Sequence, residues 1–233
     1  MSAALVVEYF QDLPERRVGE SPEEWRVRLR SAGEVFRKRV AERYLEGTLV
    51  RLLANPSAAA RRAGVSALGL SGTMSCSAAI AVRLRDNDSE VRELAADTLW
   101  SIWFRADSEE NNRELQRALR TRDRERARSA LDHLIARAPM FAEAYNQRAI
   151  LSFRLKDFDR SITDCLRVLK LNPHHFGALA GLGQCYLQFR KNKAALKAFR
   201  AALRINPNLD GVAETIRALE NALGEEGRKD DKK

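Results

Sequence analysis

Histidine and cysteine, the side chains that most often take part in chemistry, are few in this sequence and are not grouped. The sequence contains only His133, His174, His175, Cys76, Cys165 and Cys185. No subset of them has the spacing of a metal site. A phosphate-binding loop is not indicated either, because Gly181 and Gly183 lie within a predicted helix. We therefore predict no catalytic residue, no metal site and no cofactor, and we interpret His174 and His175 as polar turn residues.

The composition favours a chain built only of helices. Apolar residues make up 45% of the 233 positions, while glycine and proline are scarce, with 12 and 6 copies. Alanine, leucine, arginine and glutamate are frequent, and they are good helix formers. The odd number of irregularly spaced cysteines suits a reducing compartment. We see no signal-peptide pattern at the start and no apolar run of about 18 residues, so we expect a cytoplasmic protein without a transmembrane segment.

Three prolines mark a repeat in the second half of the chain. Pro139, Pro173 and Pro207 are 34 residues apart. The last copy reads Leu179-x-x-Leu182-Gly183-x-x-Tyr186, then Ala195-x-x-x-Phe199, then Pro207. This spacing is typical of two antiparallel helices, in which small residues let the backbones approach and aromatic residues fill the surrounding space. The proline then ends the second helix.

This pattern resembles the tetratricopeptide repeat, with Leu179 where the family prefers tryptophan. The resemblance implies three helical hairpins, at 108–141, 142–175 and 176–209, of which the first is degenerate. In the second copy Arg148 occupies a usually apolar position, so its charge must find a partner or reach water. A capping helix is predicted at 210–223, ended by Gly224, and a disordered charged tail at 224–233.

A second repeat, with a period of 31 residues, occupies residues 48–106. Leu53, Arg61 and Leu68 recur as Leu84, Arg92 and Leu99, with turns at Asn55-Pro56 and Asp86-Asn87-Asp88. The second copy resembles a HEAT repeat of the short bacterial kind found in phycobilisome lyases. In such repeats the turn aspartate caps a helix, and the arginine pairs with the acid of the neighbouring turn. The first copy departs from the pattern, since Asn55 replaces the acid and Ala60 replaces Val91.

The resulting fold prediction is an all-α, right-handed α-solenoid of helical hairpins. Residues 1–47 form N-terminal helices, two HEAT-type repeats follow at 48–106, and three tetratricopeptide repeats with a capping helix occupy 107–223. Only Arg105 and Ala106 separate the two repeat types, so we expect them to run directly into one another. Trp100, Trp103 and Phe104 are then expected to fill the junction.

The tetratricopeptide resemblance also implies where a partner binds. In such arrays the first helix of each repeat lines a concave groove, and residues one repeat apart align along it. Amides at these positions can hydrogen-bond the backbone of an extended peptide. The candidate groove residues are Asn112, Gln116, Arg120, Asn146, Ile150, Arg154, Gln184 and Gln188. The family's chaperone-tail binders hold a terminal carboxylate with groove lysines, and the three groove helices here contain none.

The positive net charge, +9, is concentrated near the end of the chain. Residues 176–209 contain six basic residues and no acid. Four of them form a stripe along the second helix, namely Lys193, Lys197, Arg200 and Arg204. The stripe is either a solvated ridge or a docking site for an acidic partner, an anionic surface or nucleic acid. No aromatic residue interleaves it, so base stacking is not predicted.

These observations favour a non-catalytic scaffold or adaptor, of bacterial origin, that binds another protein through the groove. A binder of nucleic acid or of an anionic surface is the first alternative, and it would use the basic stripe. A regulatory or lyase-like subunit of an enzyme complex is the second, although resemblance to the lyase repeats implies a fold and not an activity. The sequence does not define the partner or the oligomeric state.

Overall fold

The computed structural model describes residues 3–230, with side-chain surroundings for residues 5–224. These residues form thirteen α-helices and one short 3-10 helix, and no strand occurs among them. The all-helical fold and its arrangement as helical hairpins are therefore as predicted. The chain forms two compact units, Met1–Ile102 and Trp103–Lys233, called here the N-terminal unit and the C-terminal unit.

The N-terminal unit contains the predicted terminal helices and the 31-residue repeats. Its helices are α1 (Ala3–Gln11), α2 (Pro22–Ala41), α3 (Glu46–Leu52), α4 (Ala58–Ser71), α5 (Ser77–Arg83) and α6 (Ser89–Phe104), and the 3-10 helix is Met74–Cys76. A capping box starts α2, because Ser21 accepts a hydrogen bond from the Glu24 amide and Glu24 accepts one from the Ser21 amide. The unit boundary falls inside α6.

The 31-residue repeat is visible in the contacts of its arginines. Arg61 donates from Nη1 to the carbonyl oxygens of Asn55 and Pro56, each at 2.9 Å. Arg92 makes the equivalent contacts one copy later, to the carbonyl oxygens of Asp86 at 2.9 Å and Asn87 at 3.3 Å. Each arginine therefore satisfies the carbonyls of the turn that precedes its own helix.

The first arginine also joins the two copies. Arg61 binds both carboxylate oxygens of Asp86, at 2.9 and 2.7 Å, so it pairs with the acid of the neighbouring turn as the sequence pattern predicts. Arg83 reaches the same carboxylate at 3.1 Å. The leucines related by the period, Leu53, Leu68, Leu84 and Leu99, are all buried.

The C-terminal unit consists of helical hairpins at the predicted 34-residue spacing. Its helices are α7 (Glu109–Arg120), α8 (Arg124–Arg137), α9 (Ala142–Arg154), α10 (Phe158–Leu171), α11 (Phe176–Gln188), α12 (Asn192–Ile205) and α13 (Val212–Asp230). Each predicted repeat contains one pair, and α13 follows as the capping helix. Ile216 and Leu219 of α13 pack in one apolar cluster with Ala195 and Phe199.

The predicted end of the capping helix at Gly224 is wrong, because α13 continues to Asp230. One glycine in a helix costs only about 1 kcal/mol relative to alanine, and the residues after it are mostly good helix formers. The predicted disorder is therefore corrected for residues 224–230. The rest of that predicted tail, residues 231–233, lies outside the described residues.

Close packing at Gly183 explains why a glycine stands in the third 34-residue hairpin. A Cβ atom added there would lie 2.7 Å from Cε1 of Phe199, whose ring is fully buried. Real Cβ atoms are not found so close to another side chain, so α11 can approach α12 this closely only without a side chain at position 183. The crossing predicted from the sequence is therefore present.

Candidate functional site

Four of the predicted groove residues line a cavity of about 140 Å³ in the C-terminal unit, called here pocket A. It is bounded by α9, α10 and α11. Its lining residues are Asn146, Ala149, Ile150, Phe153, Arg154, Ser161, Cys165, Gly177, Gly181 and Gln184. The structure thus brings together Asn146, Ile150, Arg154 and Gln184 around one space.

The floor of pocket A is apolar. Ala149 and Cys165 are buried, and the two glycines of α11 leave the space above them open. Burial is the main cause that raises the pKa of the Cys165 thiol to about 12, and the neighbouring Cys185 and Asp164 act in the same direction. The thiol is therefore protonated at neutral pH and behaves as a small apolar group, not as a nucleophile.

A second cavity of about 190 Å³, called here pocket B, adjoins the first. It is bounded by α7, α8 and α9. Its lining residues are Ala118, Leu119, Thr121, Arg122, Arg124, Ala127, Leu131, Gln147, Ile150, Leu151 and Arg154. Because Ile150 and Arg154 line both cavities, pockets A and B lie side by side along α9 and share these two side chains as a wall.

The other four predicted groove residues do not line either pocket. Asn112 is half-buried, and its Nδ2 donates to the Asp107 carbonyl oxygen at 2.9 Å, so it stabilises the start of α7. Gln116 and Arg120 are exposed on α7, and Gln188 is exposed on α11. Alignment by 34 residues therefore grouped pocket-lining residues with solvent-exposed ones, and the predicted binding role of all eight stays a prediction.

A buried carboxylate that sequence reasoning missed holds the amides of both pockets. Glu143 is fully buried, and its Oε1 accepts from Nδ2 of Asn146 at 2.9 Å and from Nε2 of Gln147 at 2.6 Å. A carboxylate can only accept, so both amides must turn their NH₂ groups toward it. Asn146 lines pocket A and Gln147 lines pocket B, and Glu143 thus orients one amide in each.

His175 completes this network and is not the plain turn residue that the sequence suggested. It lies in the turn before α11 as predicted, but it is fully buried. Its Nδ1 accepts from the Ala178 amide at 3.0 Å, which caps α11, and its Nε2 lies 3.0 Å from Oε2 of Glu143. The ring stacks on Trp103 with centroids 4.2 Å apart.

The 34-residue register contains a signal that could have identified His175 as buried. Phe141 lies one repeat earlier, is the N-cap residue of α9 without a side-chain capping hydrogen bond, and is also buried. The position is thus an inward-facing N-cap in both repeats. A histidine there can fill the space of the phenylalanine ring and add two hydrogen bonds, which the residue type alone does not indicate.

Arg148 finds partners, as its position in the repeat required. Its guanidinium binds both carboxylate oxygens of Asp164, at 2.8 and 2.7 Å, and Oδ1 of Asp132 at 2.7 Å. The Asp164 hydrogen bonds are the main cause of the raised pKa of Arg148. The acids come from α8 and α10, so the ion pairs join these two helices to α9.

The basic stripe on α12 is less free than the sequence suggested. Lys193 and Lys197 are exposed, as is Arg204, but Arg200 forms an ion pair with Glu220 of α13 at 2.6 Å. The capping helix therefore neutralises one of the four charges. No group of three or more histidine, cysteine, aspartate or glutamate side chains in the described part of the chain could hold a metal ion. Within residues 3–230, no helix has the length and apolar character needed to span a bilayer.

Comparison with known proteins finds both a family model and relatives that match this chain. A family model of the tetratricopeptide repeat matches residues 112–173 and 157–210. A TPR repeat-containing protein of Rhizobium etli is 30% identical over 142 residues, covering 60% of this chain and 70% of that protein. Anaphase-promoting complex subunit 3 of Schizosaccharomyces pombe is 29% identical over 87 residues, which are 37% of this chain and only 13% of that protein.

A solved structure also resembles the chain. It is the first TPR of Spaghetti (RPAP3) bound to the HSP90 peptide SRMEEVD, with a TM-score of 0.43 and 22% identity, covering 50% of this chain and 89% of that one. Tetratricopeptide repeats are in general non-catalytic modules that bind other proteins. The Rhizobium match, the family model and the three hairpins at 34-residue spacing together show that this chain belongs to the tetratricopeptide-repeat family.

Proposed function

We propose that this protein is a non-catalytic scaffold that holds an extended segment of another protein in the groove along α9. The observation that supports this most directly is the pair of adjoining pockets, which share Ile150 and Arg154 as their common wall. Each pocket has a small apolar interior and at least one amide at its edge. That combination suits a peptide, whose side chains enter pockets while its backbone forms hydrogen bonds.

The orientation of the amides supports an extended backbone as the ligand. Glu143 occupies an NH₂ hydrogen of Asn146 and one of Gln147, so their side-chain oxygens are left to accept hydrogen bonds. An extended peptide presents backbone N–H groups along its length and turns alternate side chains to the same face. Asn146 is buried, so a segment lying along α9 can place side chains in the pockets and donate to the accessible amide oxygens of Gln147 and Gln184.

The same proposal includes the interpretation of residues 48–106 as HEAT-type repeats. Its support is the equivalent contact of Arg61 and Arg92 with the turns before their helices, one 31-residue period apart. A cytoplasmic location also belongs to the proposal, and it is supported by three buried cysteines, none of which is in a disulfide. The basic stripe is not included, because Arg200 is engaged by Glu220.

The test is capture of partners with wild-type protein and with an Ile150→Asp variant. Ile150 is 38% exposed, so the substitution should leave the fold intact while placing a charge between the two pockets. The matched control is Leu166→Asp on α10, which is 48% exposed and lines neither pocket. Partners identified by cross-linking and mass spectrometry should be retained by the control and lost from Ile150→Asp.

A partner that binds Ile150→Asp and Gln184→Ala as tightly as wild type would show that the groove is not the binding site. Both variants should melt at the wild-type temperature, which separates lost binding from lost folding. Asn146→Ala is not a suitable probe, because the buried amide bonds Glu143 and its removal would leave that carboxylate short of a donor.

A further inference from the structure

Three arginines stand around pocket B without a protein partner. Arg122 precedes α8, Arg124 is its first residue, and Arg154 is the last residue of α9. All three are exposed, and within the described residues none forms an ion pair or a side-chain hydrogen bond. Several other arginines of the C-terminal unit form ion pairs, including Arg137 with Glu114 and Arg160 with Asp132.

The acids next to these arginines are already engaged. Asp123 caps α8 by accepting from the amides of Glu125 and Arg126, at 2.9 and 3.0 Å. Glu125 pairs with Arg128 at 2.5 Å. Residues 117–128 contain six arginines against these two acids, a net charge of +4. The edge of pocket B is therefore cationic.

The position of Arg124 is unfavourable for the isolated protein. The first turn of a helix carries partial positive charge and is stabilised by acids, so an unpaired arginine at the first residue of α8 is disfavoured there. Arg154 has a simple local explanation, since cations are favoured at the C-terminal end of a helix. A local cost without a local gain is what a binding residue shows in the absence of its ligand.

The interior of pocket B is apolar beneath this charged edge. Ala118, Ala127 and Leu131 are buried at its base, while Leu119 and Ile150 are partly exposed at its sides. An apolar side chain can be buried there, and carboxylates beside it in the ligand would meet the guanidinium groups. Arginine binds a carboxylate with two parallel hydrogen bonds, which makes this contact specific for acids.

We infer that the segment bound in the groove is acidic and apolar, with a leucine-like side chain in pocket B and aspartate or glutamate residues on either side of it. This inference rests on the proposed function. The carboxylates are side chains within the segment and not one chain terminus, because the arginines come from the ends of two different helices and together accommodate more than one acid.

The probe is a synthetic library of octapeptides, acetylated at the N-terminus and amidated at the C-terminus so that no terminal charge is present. Leucine is fixed at one central position, and the other positions vary among glutamate, glutamine, lysine and alanine. Wild-type protein should select peptides with glutamate beside the leucine. Binding of the selected peptide should weaken as salt increases, because salt screens exposed charges.

The decisive variant is the triple substitution Arg122→Gln, Arg124→Gln and Arg154→Gln. It should weaken the selected peptide about tenfold or more, since charged hydrogen bonds are roughly twice as strong as neutral ones. The matched control, Arg26→Gln, Arg30→Gln and Arg37→Gln, removes the same charge from α2, where these arginines are also exposed and unpaired among the described residues. The control should bind like wild type, and Arg154→Glu should bind better to a peptide with lysine in place of glutamate.

The outcomes separate this inference from the proposed function. Selection of peptides without a preference for glutamate, or equal peptide binding by the triple variant, would overturn the inference. If partner capture is still lost in Ile150→Asp, the proposed function is retained. If the Ile150→Asp variant captures the same partners as wild type, both the inference and the proposed function would be overturned. Binding of a single-stranded RNA of 20 nucleotides, lost in the triple variant and competing with the peptide, would assign the arginines to phosphates and also overturn the inference.

Discussion

The two units hold the turns between their helices by different chemistry. In the N-terminal unit the turn carboxylates bind arginines of α4, at 2.7 Å for Asp86 with Arg61 and at 2.5 Å for Asp88 with Arg62. In the C-terminal unit the turns before α11 and α13, which follow the second and third repeats, each contain an asparagine before proline. Asn172 and Asn206 are buried, and each accepts from the amide two residues on, at 3.2 and 3.0 Å. One unit thus relies on ion pairs between helices, and the other on short neutral hydrogen bonds within the turn.

The difference determines how each unit responds to pH. Burial by itself would raise the pKa of Asp86, but hydrogen bonds from Arg61 and the Asp88 amide, with the charges of Arg61 and Arg83, outweigh it and lower the pKa. The Arg62 hydrogen bond is the main cause that lowers the pKa of Asp88 to about 2. The side chains of Asn172 and Asn206 do not themselves titrate. Substitutions in each unit and a change of pH therefore test this difference between the two kinds of turn.

The largest effect is expected from Gly183→Leu in the C-terminal unit. A side chain there would collide with the buried ring of Phe199 and force α11 away from α12, at a cost of about 3 kcal/mol or more. The control is Gly181→Ala, because its added Cβ would lie 3.5 Å from Sγ of Cys165, an ordinary contact. Denaturant melts should show a strongly destabilised leucine variant and a stable alanine variant. A melting curve of Gly183→Leu that matches wild type would contradict the close packing of α11 against α12.

A smaller loss is expected from Asp86→Asn in the N-terminal unit. Asparagine keeps the shape but removes the charge that Arg61 and Arg83 share, and breaking a buried ion pair by removing one partner costs about 3 kcal/mol. The counterpart in the C-terminal unit is Asn206→Ala, which removes two neutral hydrogen bonds from Asn208 and should cost about 1 to 2 kcal/mol. Amide exchange measured by mass spectrometry would assign each loss to its own unit. Equal losses would show that the ion pairs do not distinguish the two turns.

The smallest loss of stability is expected when the pH of the wild-type protein is lowered from 6 to 3. Carboxylates with lowered native pKa values include Asp86, Asp88 and Glu20, the last at about 2 because of its hydrogen bonds with Arg28. They stabilise the fold above their unfolded pKa values near 4, and this stability is lost as the pH falls toward the native values. Asp97 acts in the opposite sense, because burial raises its pKa and acid therefore favours its native form.

The measurement for this pH prediction is amide exchange by mass spectrometry between pH 6 and pH 3, corrected for the intrinsic pH dependence of exchange. Protection should fall first in α3 to α5, around the Asp86 and Asp88 turn. The loss at pH 3 should be smaller than in Asp86→Asn at neutral pH, because the lowered pKa of Asp86 opposes its protonation, whereas the substitution removes its charge outright. Earlier loss of protection in α11 and α12 would contradict the prediction that acid affects the N-terminal unit first.

The positions of the helices could be predicted from the sequence because helix boundaries are local. Pro173 and Pro207, the capping box at Ser21 and the recurrence of small and aromatic residues each act within a few residues of chain. The same reasoning identified Gly183, since a 34-residue pattern determines which residues meet at a crossing. Where the local signal was weak, as at Gly224, the boundary was wrong.

The partners of charged and polar side chains were decided only by the tertiary structure. Glu143 and His175 are 32 residues apart, and Arg200 and Glu220 are 20 apart, so no local sequence pattern predicts either contact. The unpaired arginines around pocket B were hidden for the same reason, because six arginines among helical residues look like an ordinary solvated surface. A repeat period determines which helices are neighbours. Which side chains meet, and which are left to bind something else, depends on the separation and rotation of the packed helices.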